Sequence, residues 1–184
     1  MEQFQLPSVT RKLRALFPRL GHTVAMIEVV LRPMSESEYE AFYSKMVSEY
    51  ARVNVEAGTW LEKESLELSK KALEQLLPHG RQTPRILLLS AESSAGEYVG
   101  YLWIGLDRPG TSKPIAWIYD IEVAEVQRGK GYGRALLRAA EEETLRNGVP
   151  TLGLNVFGRN HVARKLYESA GYSITQIAMS KELS

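Results

Sequence analysis

The sequence predicts a single α/β domain built around a mixed β-sheet. Apolar residues follow strand-like and helix-like spacings in the order β-α-α-β-β-β-α-β-α-β. The chain has 184 residues, of which 44% are hydrophobic and 24% charged, as is usual for one globular domain with a sizeable core. Neither an internal repeat nor an interdomain linker interrupts this order. We therefore expect one domain over residues 27–184, preceded by an N-terminal extension.

The first part of the domain contains one predicted strand and two predicted helices. Residues 27–31 form a short β-rich run that ends at Pro33. Two capping boxes then predict two helix starts, because a Ser or Thr followed three residues later by Glu satisfies free backbone N–H groups. The two pairs are Ser35 with Glu38 and Thr59 with Glu62. Pro78 and Gly80 end the second helix.

The rest of the domain alternates strands with helices. A helix is predicted from Arg134 to about Asn147. Asn160 is placed to cap a second, shorter helix. A β-rich segment over residues 172–179 completes the domain. Four further strands are predicted, over residues 86–89, 98–106, 115–123 and 151–157.

Charge and composition bear on the classes of partner. The 23 basic and 22 acidic residues leave a formal net charge of +1, so we expect neither nucleic acid nor a membrane as partner. The chain contains no cysteine, which excludes disulfides and thiolate metal sites and suits a cytoplasmic protein. The three histidines form no metal-ligand pattern, and we expect no metal.

Residues 1–26 differ from the rest of the chain. They hold four basic residues and one acidic residue, without the apolar core of a secretory signal. We expect a poorly structured extension. An organellar transit peptide and a translation start at Met26 are alternatives.

A glycine-rich hexapeptide, residues 128–133, separates the strand 115–123 from the helix after it. Such a turn leaves backbone N–H groups unpaired at the positive end of a helix dipole, so it can bind a phosphate or pyrophosphate. A tight turn with incidental glycines is the alternative. The P-loop pattern fails because Gly129-Lys130 is followed by Gly131 and not by Ser or Thr. A dinucleotide fingerprint fails because neither register supplies its third glycine.

Two motifs with a strand between them resemble those of the GCN5-related N-acetyltransferases (GNAT). The first, Arg128-x-x-Gly131-x-Gly133, resembles the pyrophosphate loop of that family. The second resembles the family signature N-x-x-A-x-x-L-Y-x-x-x-G-F/Y and consists of Asn160, Ala163, Leu166, Tyr167, Gly171 and Tyr172. The resemblance implies a mostly antiparallel mixed sheet, flanked by helices, whose central strands splay apart to admit acetyl-CoA.

The resemblance also implies which residues contact acetyl-CoA, the expected co-substrate. Backbone amides of the loop would hold the pyrophosphate, and strand backbone would pair with the pantetheine arm. The loop residues are Arg128, Gly129, Lys130, Gly131, Tyr132, Gly133 and Arg134, and the strand residues are Ile121, Glu122 and Val123. Asn160 and Tyr167 would contact the CoA arm from the next helix along the chain.

The implied reaction is direct attack of a primary amine on the thioester in a ternary complex. Tyr167 matches the family's general acid, and a phenol is protonated at neutral pH. Asp120 or Glu122, which lie about 7 Å apart on one face of a strand, would act as base, directly or through a water. The acceptor is a small molecule or a protein amine, and the protein is a possible homodimer. A non-catalytic acyl-CoA-binding or regulatory module with the same fold is the alternative function.

Overall fold

A computed structural model of the protein describes residues 27–108 and 110–183. Five strands form one sheet in the order β1-β2-β3-β4-β5, with helices on both faces. The strands are β1 (Val29–Pro33), β2 (Ile86–Ser93), β3 (Tyr98–Gly105), β4 (Ala116–Val123) and β5 (Leu152–Leu154). The helices are α1 (Glu36–Glu56), α2 (Glu62–Leu76), α3 (Tyr132–Arg146) and α4 (His161–Ser169). The predicted class, a mixed sheet flanked by helices, is confirmed.

The sheet is antiparallel except at one edge. Strands β1 to β4 pair antiparallel with their neighbours, whereas β5 pairs parallel to β4. That parallel pairing covers only three positions, the last of which joins Ile118 to Leu154. Strand β4 continues to Val123 beyond this last pair. The two strands therefore part at the middle of β4, as the resemblance implied.

Two hydrophobic clusters lie on the two faces of the sheet. One packs α3 against β2, β3 and β4 and includes Leu102, Ile104 and Leu136, none of which is exposed. The other packs α1 and α2 against the opposite face, where Phe42 contacts Trp103 edge-on with ring centroids 5.6 Å apart. Alternate residues of β3 serve the two clusters, as the period of a strand requires. Strand β3 is thus buried on both faces and anchors the sheet.

The first predicted capping box is present and the second is wrong. Ser35 Oγ accepts from the backbone N–H of Glu38, and the Glu38 carboxylate accepts from the N–H of Ser35 at 2.7 Å. Leu61, in contrast, is the N-cap of α2 and makes no side-chain cap. The N–H of Thr59 donates to the carbonyl of Asn54 at 2.9 Å. Thr59 therefore belongs to the turn that ends α1, two residues too early to cap α2.

The predicted C-terminal strand is also wrong. Residues 173–183 form no regular secondary structure, and the strand predicted over 151–157 shortens to Leu152–Leu154. A strand requires a neighbour to satisfy its backbone, and among the described residues β5 has only β4 as a partner. The β-rich composition of the segment is not sufficient without that partner.

Three further expectations concern the membrane, metal ions and the N-terminal extension. Within residues 27–108 and 110–183, no helix is both long and apolar enough to cross a membrane. The same ranges hold no group of three or more side chains suited to bind a metal ion. The expected N-terminal extension, residues 1–26, lies outside the described residues.

Gly100 lies where β3 and β4 approach closely. A substitution at this position tests whether the absence of a side chain there is needed for stability. A Cβ added at Gly100 would collide with the backbone carbonyl oxygen of Glu122. We expect Gly100→Ala to lower the free energy of unfolding by about 1–3 kcal/mol, as overpacking of a core does. Gly158→Ala is the matched control, because a Cβ there meets nothing within 4 Å. Urea unfolding of both variants measures the effect, and equal stabilities would contradict it.

Candidate active site

A β-bulge in β4 determines which way the candidate carboxylates point. Trp103 of β3 pairs with Asp120 and the next residue, Ile104, pairs with Ile118, so Tyr119 is an extra residue. Strict alternation would place Asp120 on the α3 face with Ile118. Because the bulge shifts the alternation by one residue, Asp120 and Glu122 lie instead on the face covered by α1. The Tyr119 ring stacks on Trp103, with centroids 5.0 Å apart.

The two carboxylates converge on a tyrosine and a lysine that the sequence did not single out. The Tyr101 hydroxyl lies 2.7 Å from Asp120 Oδ2 and 3.5 Å from Glu122 Oε2. Lys45 Nζ, from α1, forms an ion pair with Glu122 and lies 3.4 Å from the Tyr101 hydroxyl. Tyr101 sits directly opposite Glu122 in the β3–β4 register. The four side chains form one connected group, which we call the carboxylate cluster.

Burial sets the electrostatics of Asp120. Desolvation raises the pKa of its carboxyl above the ordinary value for aspartate, and the hydrogen bond from Tyr101 opposes this. A second hydrogen bond, from the N–H of Ile121 to Asp120 Oδ1 at 2.9 Å, also lowers the pKa. The charge of Glu122 raises it further and that of Lys45 lowers it. A raised carboxyl pKa brings the group closer to the range useful for a general base.

Tyr167 reaches the same region from α4. Burial raises the pKa of its phenol above 10, and the charge of Asp120 contributes to the rise. Tyr167 is therefore close enough to Asp120 for the two to interact electrostatically, and it is protonated at neutral pH. The Asn160 side chain caps α4 by accepting from the N–H of Ala163 at 3.1 Å. The predicted cap is confirmed, and it places Tyr167 two turns into the helix.

The glycine-rich loop has the backbone geometry expected of an anion site. Gly129 and Gly131 have φ of 75° and 88°, in the left-handed region that favours glycine. Gly131 is the N-cap of α3, whose first turn carries no acidic residue. The side chains of Arg128 and Lys130 bind within the loop region, to the Val123 carbonyl at 3.1 Å and to the side chain of Gln127 at 3.0 Å.

The backbone of β4 past the last β5 pair has an open side. The N–H of Ala124 donates to the Val99 carbonyl at 2.8 Å. In an antiparallel ladder the direction of these groups alternates, so Glu122 also directs its backbone toward β3, whereas Ile121 and Val123 direct theirs away. Two of the three predicted backbone positions thus face the gap between β4 and β5, and the third faces β3.

The sequence also matches a family with this arrangement. The Acetyltransferase (GNAT) family model matches residues 40–172. The chain belongs to the GNAT family. Two relatives from Bacillus subtilis (strain 168) are the uncharacterized N-acetyltransferases YycN and YdgE. YycN is 38% identical over 84% of this chain and 99% of its own length. YdgE is 37% identical over 83% of this chain and 97% of its own. The protein is an acetyltransferase.

Solved structures share the fold of this GNAT protein. The crystal structure of YycN, a putative acetyltransferase from Bacillus subtilis, superposes with a TM-score of 0.75 at 38% identity, covering 85% of this chain and 99% of that one. AAC(6')-Iy, solved in complex with the bisubstrate analog CoA-S-monomethyl-acetylneamine, has a TM-score of 0.53 at 14% identity, over 85% of this chain and 99% of that one. At that identity the likeness shows the fold alone.

The raised pKa of Asp120 predicts a stability cost at neutral pH. A folded-state pKa above the unfolded value means that folding opposes ionisation, so the cost grows as the pH rises through the folded pKa. We expect the stability of Asp120→Asn relative to the wild type to increase as the pH rises from acid to neutral, because the amide does not ionise. Its single oxygen can replace only one of the two carboxylate oxygens that accept from Tyr101 and from the N–H of Ile121, a cost that does not depend on pH. The increase begins near the ordinary aspartate pKa and is complete above the folded pKa.

Asp107→Asn is the control for this stability measurement. Arg85 holds the pKa of Asp107 below its ordinary value through a bidentate hydrogen bond, at 2.6 and 2.8 Å. Its stabilising effect is present above the ordinary aspartate pKa and is lost as the pH falls, so this substitution acts in the opposite direction. Thermal unfolding from acid to neutral pH measures both variants, and a stability of Asp120→Asn relative to the wild type that does not increase with pH would refute the expectation.

Proposed function

We propose that this GNAT protein transfers an acetyl group from acetyl-CoA to a primary amine by direct attack in a ternary complex. One observation carries the proposal. A half-buried carboxylate, Asp120, lies close enough to a protonated phenol, Tyr167, for its charge to raise the pKa of that phenol, near the point where β4 and β5 part. Amine acetylation needs one group that accepts a proton and another that donates one. The glycine-rich loop begins a few residues after the same strand.

Acetyl-CoA fits the backbone of this region as a substrate. The loop amides of residues 128–134 would bind the pyrophosphate at the N-terminus of α3. A Cβ added at Gly129 would meet nothing within 4 Å, so the backbone is open there. The Ile121 carbonyl and the Val123 N–H, which face the gap, would pair with the pantetheine arm as a neighbouring strand does, since the Ile121 N–H donates to Asp120 and the Val123 carbonyl accepts from Arg128. Glu122 contributes its side chain to the carboxylate cluster rather than its backbone to the gap.

Asp120 or Glu122 would remove the proton from the amine, directly or through a water. The amine nitrogen bonds to the acetyl carbon, the carbon–sulfur bond breaks, and Tyr167 donates its proton to the departing thiolate. A backbone N–H of β4 on the open side would polarise the thioester carbonyl. The products are an N-acetylated amine and CoA thiol. Asn160, the cap of α4, would contact the CoA arm.

The acceptor, in this proposal, is a small molecule or a protein amine. We propose a cytoplasmic location, where acetyl-CoA is available, and one acetyltransferase domain over residues 27–184. A non-catalytic acyl-CoA-binding module is the rival function, since the loop alone would serve it. The carboxylate cluster next to Tyr167 favours the enzyme, because binding requires neither a base nor an acid.

Tyr167→Phe distinguishes the enzyme from the binding module. We expect thiol release in the presence of an amine to fall by about 100-fold, as for loss of a general acid, while acetyl-CoA binding is largely kept. Tyr98→Phe is the control, because Tyr98 is exposed at the start of β3. Calorimetry measures binding, and a thiol assay over an amine library measures transfer. Wild-type binding without thiol release from any amine would favour the binding module.

We also propose that two copies associate through the C-terminal segment, residues 173–183. Strand β5 is an edge strand, and a cleft of about 630 Å³ lined by β5 and residues 170–176 lies beside it. An edge strand presents unpaired backbone groups that another strand can satisfy. The segment exposes the apolar side chains of Ile174, Ile177, Met179 and Leu183. The last three lie two or four residues apart, so they would share one face of a strand and could be buried by a second copy.

Light scattering after size-exclusion chromatography tests this association. We expect a dimer mass for the wild type and a monomer mass for the double variant Ile177→Glu, Met179→Glu, because two charges would have to be buried. Leu61→Glu is the control, an exposed apolar residue at the start of α2. A wild type that is monomeric at high protein concentration would rule out the dimer.

A further inference from the structure

The carboxylate cluster contains more groups than a single proton transfer needs. It joins three elements: Lys45 from α1, Tyr101 from β3, and Asp120 and Glu122 from β4. Two carboxylates this close repel each other when both are ionised. The contacts of Tyr101 and Lys45 give Asp120 and Glu122 different electrostatic environments. The roles of Tyr101 and Lys45 in catalysis rest on the proposed function.

Tyr101 has one proton to donate and two carboxylates within range. Its hydroxyl lies 2.7 Å from Asp120 Oδ2 but 3.5 Å from Glu122 Oε2, so the hydrogen bond goes to Asp120. Burial, and then the charge of Asp120, raise the pKa of Tyr101 far above 10, so the phenol keeps its proton. Tyr101 is only 5% exposed, and its ring packs edge-on against Phe42 with centroids 5.4 Å apart. Its hydroxyl is therefore fixed.

Lys45 acts on the other carboxylate. Its ammonium forms an ion pair with Glu122 and also lies 3.9 Å from Glu49 on the next turn of α1. The ammonium can donate to the lone pair of Tyr101 at 3.4 Å, and it lies 5.3 Å from the centroid of that ring. Glu122 is thereby held as a charged partner of Lys45. Both oxygens of Asp120 also accept hydrogen bonds, from Tyr101 and from the N–H of Ile121, but these donors are neutral, and Asp120 has no cation in direct contact among the described residues.

We propose that Tyr101 and Lys45 are positioning residues that make Asp120 the base: Tyr101 orients Asp120 by a donated hydrogen bond, and Lys45 holds Glu122 as an ion pair. In the step, Asp120 accepts one proton from the attacking amine nitrogen as the nitrogen–carbon bond forms. The carbon–sulfur bond then breaks, and the thiolate takes the proton of Tyr167. Solvent restores both groups, so no further reactant is needed.

The charged and titratable groups around Asp120 come from four elements, α1, β3, β4 and α4. They are Lys45 and Glu49 from α1, Tyr101 from β3, Glu122 from β4 and Tyr167 from α4. Removal of the hydrogen bond from Tyr101, or of the cation at Lys45, destabilises the ionised form of Asp120. Removal of the negative charge at Glu122 stabilises it. Each of the three changes therefore shifts the titration of one carboxyl group in a known direction.

Carboxyl NMR can read that group directly, because the chain has only two aspartates, Asp107 and Asp120. Protein labelled with ¹³C at the aspartate carboxyls gives two titration curves, and Asp107→Asn assigns them. We expect Tyr101→Phe and Lys45→Met each to shift the titration of Asp120 to higher pH. Glu122→Gln shifts it to lower pH. Lys45→Arg, which keeps the cation, restores most of the wild-type curve.

Two matched controls separate these effects from general ones. Tyr98→Phe removes an exposed hydroxyl from the same strand, and Lys63→Met removes a cation that pairs with Glu64 on the exposed surface of α2. Both should leave the Asp120 titration where it is. An Asp120 curve that moves with the controls, or does not move with Tyr101→Phe, would overturn the positioning role. This measurement requires folded protein and no acceptor.

The pH dependence of kcat/KM tests the assignment of the base. The acidic limb of this profile is the range over which kcat/KM falls as the base of the free enzyme becomes protonated. The pH of that limb should therefore shift in the same direction as the NMR titration of Asp120 for each variant. Asp120→Asn should remove the limb and lower kcat/KM by at least about 100-fold. A limb that survives in Asp120→Asn and disappears in Glu122→Gln would assign the base to Glu122 and refute the proposal. If no amine releases thiol from the wild type, the proposed function fails, and the NMR shifts still decide the roles of Tyr101 and Lys45.

Discussion

One extra residue in β4 is the constraint on which the arrangement of the site depends. The strand must keep Ile118 in the core under α3, since this residue is buried among the aliphatic side chains of that face. It must also present Asp120 and Glu122 to the opposite face, where Tyr101 and Lys45 can satisfy them. A regular strand cannot do both, because residues separated by an even number share a face. The bulge at Tyr119 resolves the conflict, and the stacking of its ring on Trp103 stabilises the irregular backbone.

The bulge also explains why buried charge is tolerated beside an apolar core. A carboxylate removed from water is costly unless it is hydrogen-bonded or paired. Asp120 receives hydrogen bonds from a side chain and from the backbone N–H of Ile121, while Glu122 receives an ammonium. The compensation for Asp120 is incomplete, since burial still raises the pKa of its carboxyl. That residual cost makes Asp120 a stronger base than a solvated aspartate. It lowers the stability of the folded protein but favours proton transfer to the carboxylate.

The sequence predicted the half of the site that is local in the chain. The loop at residues 128–133 is predicted by glycines at fixed spacings. The helix with Tyr167 is predicted by a capping residue followed by an amphipathic stretch, so both patterns are contiguous in the chain. Lys45 and Tyr101 are not encoded in this way. They meet Glu122 from 77 and 21 residues away, through a register that no local pattern specifies. The sequence did predict that Asp120 and Glu122 share a face, but not which face, because a bulge leaves no reliable trace in the apolar alternation. The second capping box and the C-terminal strand failed for a related reason, since a local propensity needs a tertiary partner.

The residues implied to bind the acetyl donor are also local in the chain, whereas those on the acceptor side are not. The region implied for acetyl-CoA lies between Ile121 and Tyr172, within one continuous stretch that the family motifs cover. The opposite side of the carboxylate cluster is built by α1 and β3, with aromatic side chains such as Phe42, Trp103 and Tyr119 packed behind it. An amine approaching Asp120 from that side would meet surfaces that no motif describes. In the proposed function, α1, α2 and β3 would set the acceptor preference, whereas the glycine-rich loop would set only the donor. Since Lys45 comes from α1 and forms an ion pair with Glu122, the element that would shape the acceptor side also holds one of the two carboxylates. The binding of an amine against α1 would thereby be coupled to the electrostatic environment of the proposed base, Asp120.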